Sequence, residues 1–206
     1  MGLTIQTFAA GPLETNAYLV GDDVAGEAII VDAPADVTPR IVAAAADAGL
    51  RVTRVVITHG HWDHIADAAA LAAATGVEFA THPLAVERMA RPSADLPVPV
   101  TPLEPGGRLD EGDEVRVGDH AFRVMHLPGH DPAHVVLYGE ADRVILGGDV
   151  LFPGGHGRTD IPGSDQAAMD RSLARLAVLP PDVTVYPGHG DPTTIGAEAS
   201  WLQEKR

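Results

Sequence analysis

His59-Gly60-His61-Trp62-Asp63-His64 places four possible metal ligands within one short turn of the chain. The turn follows the apolar run 54–58, which is typical of a buried strand. It precedes the Ala-rich run 65–75, which predicts a helix that Gly76 would end. The candidate ligands therefore lie where a strand ends and a helix begins, and layered α/β folds build their sites at such ends.

The spacing within this stretch predicts two neighbouring metal ions. In an extended chain, side chains two residues apart point the same way, so His59 and His61 can reach one ion. Asp63 and His64 turn in a new direction as the helix starts, and they can serve a second ion beside the first. Each ion still lacks ligands, so further ligands are expected elsewhere in the chain.

Three later apolar runs end in a glycine turn that is followed by a candidate ligand. The runs are 123–127, 143–146 and 183–186, and the ligands that follow them are His130, Asp149 and His189. A packed sheet can bring the ends of several strands together. We therefore expect these three side chains to meet the central stretch.

The order of these motifs resembles the metallo-β-lactamase-fold superfamily, and within it the short glyoxalase II-like (hydroxyacylglutathione hydrolase-like) branch. The similarity runs over nearly the whole chain, from the segment 15–20 to the segment 193–196, and includes the later motifs PGH, GGD, GRTD and PGHG. The resemblance implies an α+β protein with an αββα four-layer sandwich, formed as a single domain over residues 1–206. The predicted order of strands and helices suggests the same architecture.

The resemblance also implies how the ligands divide between two ions. The matching residues are His59, His61 and His130 for site 1, Asp63, His64 and His189 for site 2, and Asp149 as the bridge between both ions. Two divalent cations per chain are expected, zinc first, with iron and manganese also suited to histidine and carboxylate ligands. Asp32 and His134 are expected next to the ligands, where Asp32 orients one of them.

A two-ion site of this kind implies hydrolysis. A bound metal lowers the pKa of water to about 7, so a bridging hydroxide is the expected nucleophile. Asp63 is the expected catalytic residue, because it can hold that hydroxide in line. The resemblance implies that the substrate is an acyl thioester of the hydroxyacylglutathione type. Its thiolate, with a pKa near 8.5 by analogy with cysteine, leaves without a strong acid.

Two departures from the glyoxalase II pattern leave the substrate open. Full-length enzymes of that family carry an additional C-terminal helical region that contacts glutathione, and this sequence ends soon after Ile195. Asp131 and Ala133 also stand in a segment that usually reads GHTPGH. A thioester of another thiol, or a lactone or other ester, is therefore an alternative substrate.

A second enzyme class shares these motifs. Persulfide dioxygenases bind one iron through residues that match His59, His130 and Asp149, a set suited to oxygen chemistry. The motifs alone do not separate that class from the hydrolases. A binding module with purely structural metals fits less well, because the ligand set is intact.

Composition excludes several other functions. The formal net charge is −15 with no basic stripe, so we expect a small-molecule substrate and no nucleic-acid partner. The absence of cysteine excludes disulfides and thiol catalysis. No apolar run reaches the length of about 18 residues that a membrane span needs. No signal peptide is visible, so we expect a cytoplasmic protein and not an exported β-lactamase. The oligomeric state stays open.

The sequence of some segments is compatible with two interpretations. The proline-rich segment 92–107 is either a surface connection or a flap at the rim of the site. Trp62 and His156 either line the pocket or only pack and contact solvent. Ser164 is predicted to cap a helix over residues 165–179.

Overall fold

The computed structural model describes residues 2–205, and the first six strands form one sheet in sequential order. These strands are β1 (Leu3–Ala10), β2 (Thr15–Asp22), β3 (Glu27–Val31), β4 (Arg51–Val56), β5 (Phe79–Thr81) and β6 (Gly107–Arg108). Strands β1 to β3 pair antiparallel, and β3 to β6 pair parallel. The parallel pairs need crossover connections, which helices provide.

The helices of this half connect the parallel strands. They are α1 (Thr38–Asp47), α2 (Trp62–Ile65), α3 (Ala68–Thr75) and α4 (Val86–Ala90), with a 3₁₀ turn over Pro83–Ala85 before α4. The helix predicted over residues 65–75 is broken at Asp67. Its backbone N–H donates to the carbonyl of Ala33, and its carboxylate accepts from the N–H of Thr38. Because Asp67 bonds outside the helix, the chain turns between α2 and α3.

The second half of the chain forms another six-stranded sheet, in the order β14-β13-β10-β9-β8-β7. Its elements are β7 (Glu114–Val117), β8 (His120–His126), β9 (Val135–Gly139), β10 (Val144–Gly148), the small hairpin β11 (Leu151–Phe152) and β12 (Gly155–His156), α5 (Gln166–Leu176), β13 (Thr184–Pro187), β14 (Thr193–Thr194), α6 (Ala199–Leu202) and a 3₁₀ turn over Gln203–Lys205. Strand β9 is antiparallel to both β8 and β10, and β13 is parallel to β10. Strands β8, β10 and β13 therefore end at the same edge of the sheet.

Three apolar clusters separate four layers, which confirms the predicted αββα sandwich. Strand β2 contributes to two of these clusters, because its alternate side chains point to opposite faces of the sheet. Leu19 packs with Ile41 and Leu71 between the first sheet and its helices, whereas Val20 packs with Phe122 between the two sheets. The third cluster lies between the second sheet and α5 and α6, and includes Val136, Ile145, Met169, Leu173 and Leu202.

The proline-rich segment 92–107 is a connection packed on the first helical layer. Val100 and Leu103 contact that apolar cluster, and the N–H of Leu103 donates to the carbonyl of Met89. None of the residues that line the cavity beside the candidate ligands comes from this segment. The structure therefore favours a surface connection over a flap at the site.

The N-terminus of α5 is capped by Asp165, one residue after the predicted Ser164. The Asp165 carboxylate accepts from the N–H of Ala168 at 2.9 Å, and its own N–H donates to the carbonyl of Gly129. We expect Asp165→Ala to lower the free energy of unfolding by about 1 kcal/mol, measured by urea denaturation. Asp165→Asn keeps the acceptor and should change it little. Equal losses in the two variants would contradict the capping role.

Within residues 2–205, the structure contains no helix with both the length and the apolar character needed to cross a bilayer.

Candidate metal centre

The ends of four strands bring the seven predicted ligands together in one cluster. The segment from the end of β4 into α2 carries four of them, and the turns after β8, β10 and β13 carry one each. Three groups of three side chains have ligand atoms within 4.8 Å of one another: His59, His61 and His130; His59, His64 and Asp149; and Asp63, His64 and His189. Two of these groups have the same membership as the predicted sites 1 and 2.

The ring nitrogens of site 1 converge on one point. The Nδ1 atom of His61 lies 2.8 Å from Nε2 of His130 and 3.0 Å from Nε2 of His59. The rings of His59 and His61 are nearly perpendicular, with an interplanar angle of 82°. Three nitrogens from three directions can therefore face a single ion.

Site 2 lies directly beside site 1, and Asp149 reaches both. Oδ2 of Asp63 lies 3.3 Å from Nε2 of His189 and 3.5 Å from Nε2 of His64. Oδ1 of Asp149 lies 3.4 Å from Nε2 of His64, and its Oδ2 lies 3.4 Å from Nε2 of His130. One carboxylate thus faces a histidine of each site, which is the arrangement that a bridging ligand requires.

Four of these five histidines form a hydrogen bond to an oxygen atom through their second nitrogen, which fixes the ring orientation, and the fifth, His61, faces a carboxylate 3.6 Å away. Asp32 is central to this shell. Its Oδ2 accepts from Nδ1 of His64 and from the hydroxyl of Thr58, each at 2.8 Å. His59 lies 3.1 Å from the same Thr58 hydroxyl, to which its Nδ1 donates. The other three contacts are His130 to the carbonyl of Arg158, His189 to the carbonyl of Leu13, and His61 to the carboxylate of Asp131.

His134 supports the cluster from behind. Its ring stacks on that of His59 at a centroid distance of 4.6 Å, and its Nε2 accepts from the backbone N–H of Asp149 at 2.9 Å. Burial lowers the pKa of His134 to about 3, so the ring is neutral and can accept that hydrogen bond. The structure therefore places it against the predicted bridging residue, outside the three ligand groups.

The residues fit a pair of divalent cations. Nε2 of His64 and Oδ1 of Asp149 are buried and have no hydrogen-bond partner, a condition that costs about 1–3 kcal/mol per group. Both atoms point into the cluster. Neutral imidazole nitrogens and carboxylate oxygens suit zinc, iron and manganese. Cations at this position would provide the partners that these atoms lack.

The protonation of site 1 also suits a cation. Burial, followed by the nearby His130, lowers the pKa of His61 to about 4. Burial is also the main cause that lowers the pKa of His59 well below its usual value. At neutral pH both rings are uncharged, so they can offer nitrogen lone pairs to a metal ion.

Site 2 has the opposite electrostatic character. Burial lowers the pKa of both of its histidines, but nearby carboxylates outweigh burial. Asp149 and Asp32 raise the pKa of His64 well above its usual value. Asp149 and Asp63 raise the pKa of His189 to about 9. The carboxylates of this half of the cluster therefore favour positive charge where a second cation would bind.

Polar residues at the start of β2 complete the site, and the sequence interpretation assigned them no role. The hydroxyl of Thr15 donates to Oδ2 of Asp63 at 2.8 Å. The side-chain amide of Asn16 donates to the carbonyls of Pro187 and Gly190, on either side of His189. A signal was present in the sequence, since Thr15 and Asn16 are polar residues directly before the run 17–20.

A cavity of about 890 Å³ opens directly onto the candidate ligands. Its size is within the range of small-molecule sites. Side chains of both predicted sites face it, and its other walls are formed by Leu13, Trp62, Arg88, Phe152, His156, Arg158 and Ile161. Trp62 and His156 therefore lie in the pocket wall. Of the two interpretations that the sequence allowed for each residue, the structure favours lining the pocket.

A family model described as the metallo-β-lactamase superfamily matches residues 10–189 of the chain. The chain belongs to the metallo-β-lactamase superfamily. The matched region contains all seven predicted ligands of this superfamily member, from His59 to His189.

A curated relative supports the predicted branch of the superfamily. The hydroxyacylglutathione hydrolase GloC of Haemophilus influenzae is 31% identical to this metallo-β-lactamase superfamily chain over 208 residues. The alignment covers 95% of each protein. The resemblance to hydroxyacylglutathione hydrolases is thereby confirmed.

Solved structures of the superfamily share the fold. The BLEG-1 B3 metallo-β-lactamase has a TM-score of 0.89 at 28% identity, over 98% of this chain and 99% of that protein. TTHA1623 in a di-iron-bound form has a TM-score of 0.78 at 36% identity, over 94% and 96%. ETHE1 from Myxococcus xanthus has a TM-score of 0.80 at 27% identity, over 98% and 87%.

Proposed function

We propose that this chain is a dinuclear-metal hydrolase of acyl thioesters of the hydroxyacylglutathione type. The observation that carries the proposal is the pair of adjacent ligand groups with Asp149 between them. Both groups face a cavity large enough for a small-molecule thioester. The similarity to the GloC hydroxyacylglutathione hydrolase over 95% of both chains supports the substrate class.

The side chains of this site would hold two cations, zinc being the first expectation. Cations held by sites 1 and 2 would supply a Lewis acid for the carbonyl group and lower the pKa of water to about 7. Carbonyl polarisation and water activation are the two requirements for attack on a thioester at neutral pH. The rest of the site must position the substrate and the attacking water.

Asp63 is the residue that we propose orients the attacking water. Burial raises the pKa of Asp63, but the nearby His189 and His64 outweigh burial and bring it to about 2. The carboxylate is therefore ionised at neutral pH and can accept a hydrogen bond from water. Its Oδ2 is fixed by the hydroxyl of Thr15, so the acceptor has a defined direction.

The chemistry of the leaving group matches this site. Water adds to the carbonyl carbon, the C–S bond breaks, and a carboxylate and a thiolate are released while the two protons of the water pass to solvent. A thiolate with a pKa near 8.5 departs without a strong acid. A lactone or another ester stays an alternative substrate, because the cavity walls combine apolar and basic side chains.

A mononuclear-iron persulfide dioxygenase is the second candidate function. The similarity to ETHE1 from Myxococcus xanthus favours testing it. The residues that would hold a single iron are His59, His130 and Asp149. The buried Nε2 atom of His64 in the second group has no hydrogen-bond partner, which favours a second ion and therefore the hydrolase.

Metal content and turnover of the purified chain test the proposal together. We expect two divalent ions per chain by elemental analysis, and thiol release from a hydroxyacylglutathione thioester that stops after chelation and returns when metal is added back. A simple ester, a lactone and a β-lactam should be tested as further substrates, to identify the type of acyl bond that the protein hydrolyses fastest. One iron per chain, with oxygen uptake on glutathione persulfide and no thioester turnover, would overturn the hydrolase.

A further inference from the structure

The five candidate ligand histidines are supported in unequal ways. Three of them face neutral oxygens on their second nitrogen, a hydroxyl or a backbone carbonyl. Two face carboxylates: His64 faces Asp32, and His61 faces Asp131 with Nε2 3.6 Å from Oδ2. A carboxylate behind a metal-ligating histidine fixes the ring and raises its basicity. Each predicted metal site thus contains one histidine that is backed by a carboxylate.

Asp131 is placed in the interior of the protein. Its side chain is only 1% exposed, and its Oδ1 accepts from the backbone N–H of Ala133 at 2.7 Å. It follows His130 directly in the chain. Asp131 therefore connects the turn that carries His130 with the ring of His61.

Arg88 supplies the opposite charge that this buried carboxylate needs. Burial of an unpaired carboxylate is costly, so such groups are paired in folded proteins. Nη1 of Arg88 donates to Oδ2 of Asp131, the same oxygen that faces His61. A Cβ atom at Gly60 would lie 3.2 Å from Cδ of Arg88, so the glycine in the central stretch leaves room for this side chain.

We propose that Asp131 is a positioning residue for metal site 1, where it orients His61 and strengthens its nitrogen donor as Asp32 does for His64. Arg88 pairs with Asp131 in the interior and compensates its charge. The inference rests on the proposed function only in requiring that site 1 binds a metal ion. It gives a role to a position where the family pattern GHTPGH carries threonine.

The competing explanation is that Asp131 only shapes the turn after His130. Its hydrogen bond to the N–H of Ala133 is sufficient for that purpose. Asparagine keeps the shape of the side chain and an oxygen acceptor for this N–H. Threonine keeps a hydroxyl acceptor on a shorter side chain. Neither carries a negative charge to His61, so Asp131→Asn and Asp131→Thr separate the two explanations.

Metal affinity of the full-length variants provides the test. Metal-free protein is titrated with Co²⁺, followed by its visible spectrum and by competition with a chelator. We expect both variants to bind the site 1 ion about 10–100-fold more weakly, while the affinity of site 2 is retained. The spectrum of the site 1 ion should also change, because the ring of His61 is less firmly held.

Asp22→Asn is the matched control. Asp22 is also buried, and its carboxylate accepts from the backbone N–H groups of Val24 and Ala25, away from the candidate ligands. Asparagine keeps an acceptor for these N–H groups and removes the negative charge, so both affinities should be unchanged. Urea denaturation of every variant identifies any loss of fold.

The outcomes separate this inference from the proposed function. Unchanged affinities and an unchanged cobalt spectrum in folded Asp131→Asn and Asp131→Thr would overturn the role of Asp131, even if the parent protein hydrolyses thioesters. Weaker binding at site 1 in both variants would support it, even if the parent protein proved to use one iron and oxygen.

Discussion

Asp149→Ala is expected to remove both metal ions and the hydrolytic activity together. Asp149 faces His64 with one carboxylate oxygen and His130 with the other, so its loss opens both sites at once. Loss of a hydrogen-bond partner behind a ligand costs roughly 10–100-fold in metal affinity or activity, and loss of the bridge itself should exceed that range. Elemental analysis and thioester turnover of the same preparation measure both quantities.

The fold of this variant should survive. The backbone N–H of Asp149, which donates to His134, is retained in alanine. The substitution also removes Oδ1 of Asp149, which is one of the two buried atoms of the cluster without a hydrogen-bond partner. In that cluster, only Nε2 of His64 then stays buried without one. A folded variant that keeps two ions per chain would contradict the bridging role.

Gly188→Ala is expected to disrupt the metal centre through steric contact alone. A Cβ atom at this position would lie 2.1 Å from Oδ1 of Asp149 and 2.8 Å from Cε1 of His64. The backbone cannot move away, because the N–H of Gly188 donates to Gly148 and its carbonyl accepts from Asn16, each at 2.7 Å. The Asp149 carboxylate must therefore shift. We expect loss of metal from both sites and a matching loss of turnover.

Gly190→Ala provides the matched control in the same loop. Gly190 has a φ of +70°, but no atom lies within 4 Å of the position that its Cβ would occupy. The left-handed backbone costs an alanine about 1–2 kcal/mol in stability, and metal content should be retained. If the two glycine variants lost metal equally, general destabilisation of the loop would explain the result and the steric account would fail.

The central stretch shows how much of the site was predictable. Alternation along an extended segment put His59 and His61 on one side, and the following helix start turned Asp63 and His64 away. Two of the ligand groups in the structure divide these four residues in the same way, and a third joins His59 to His64 together with Asp149. Local backbone geometry determines such spacing, so the sequence suffices for it.

The boundaries and caps of the helices were predicted less well. The run 65–75 has the composition of one helix, but Asp67 bonds to Ala33 and Thr38, which are distant in sequence. The α5 cap is Asp165 instead of Ser164 for a comparable reason. Its backbone N–H is tied to Gly129 in another turn of the site. Contacts between segments override local propensity in both places.

The sequence by itself determined the layered fold, the identity of the candidate ligands and the chemistry that they suit. Strand alternation and glycine turns are local signals, and the donor atoms of histidine and aspartate are fixed by residue type. Only the tertiary structure decided which residues support those ligands. Thr15 reaches Asp63 and Asp131 reaches His61 across 48 and 70 residues of chain, respectively. No local pattern encodes such contacts, because they exist only after the two sheets have packed together.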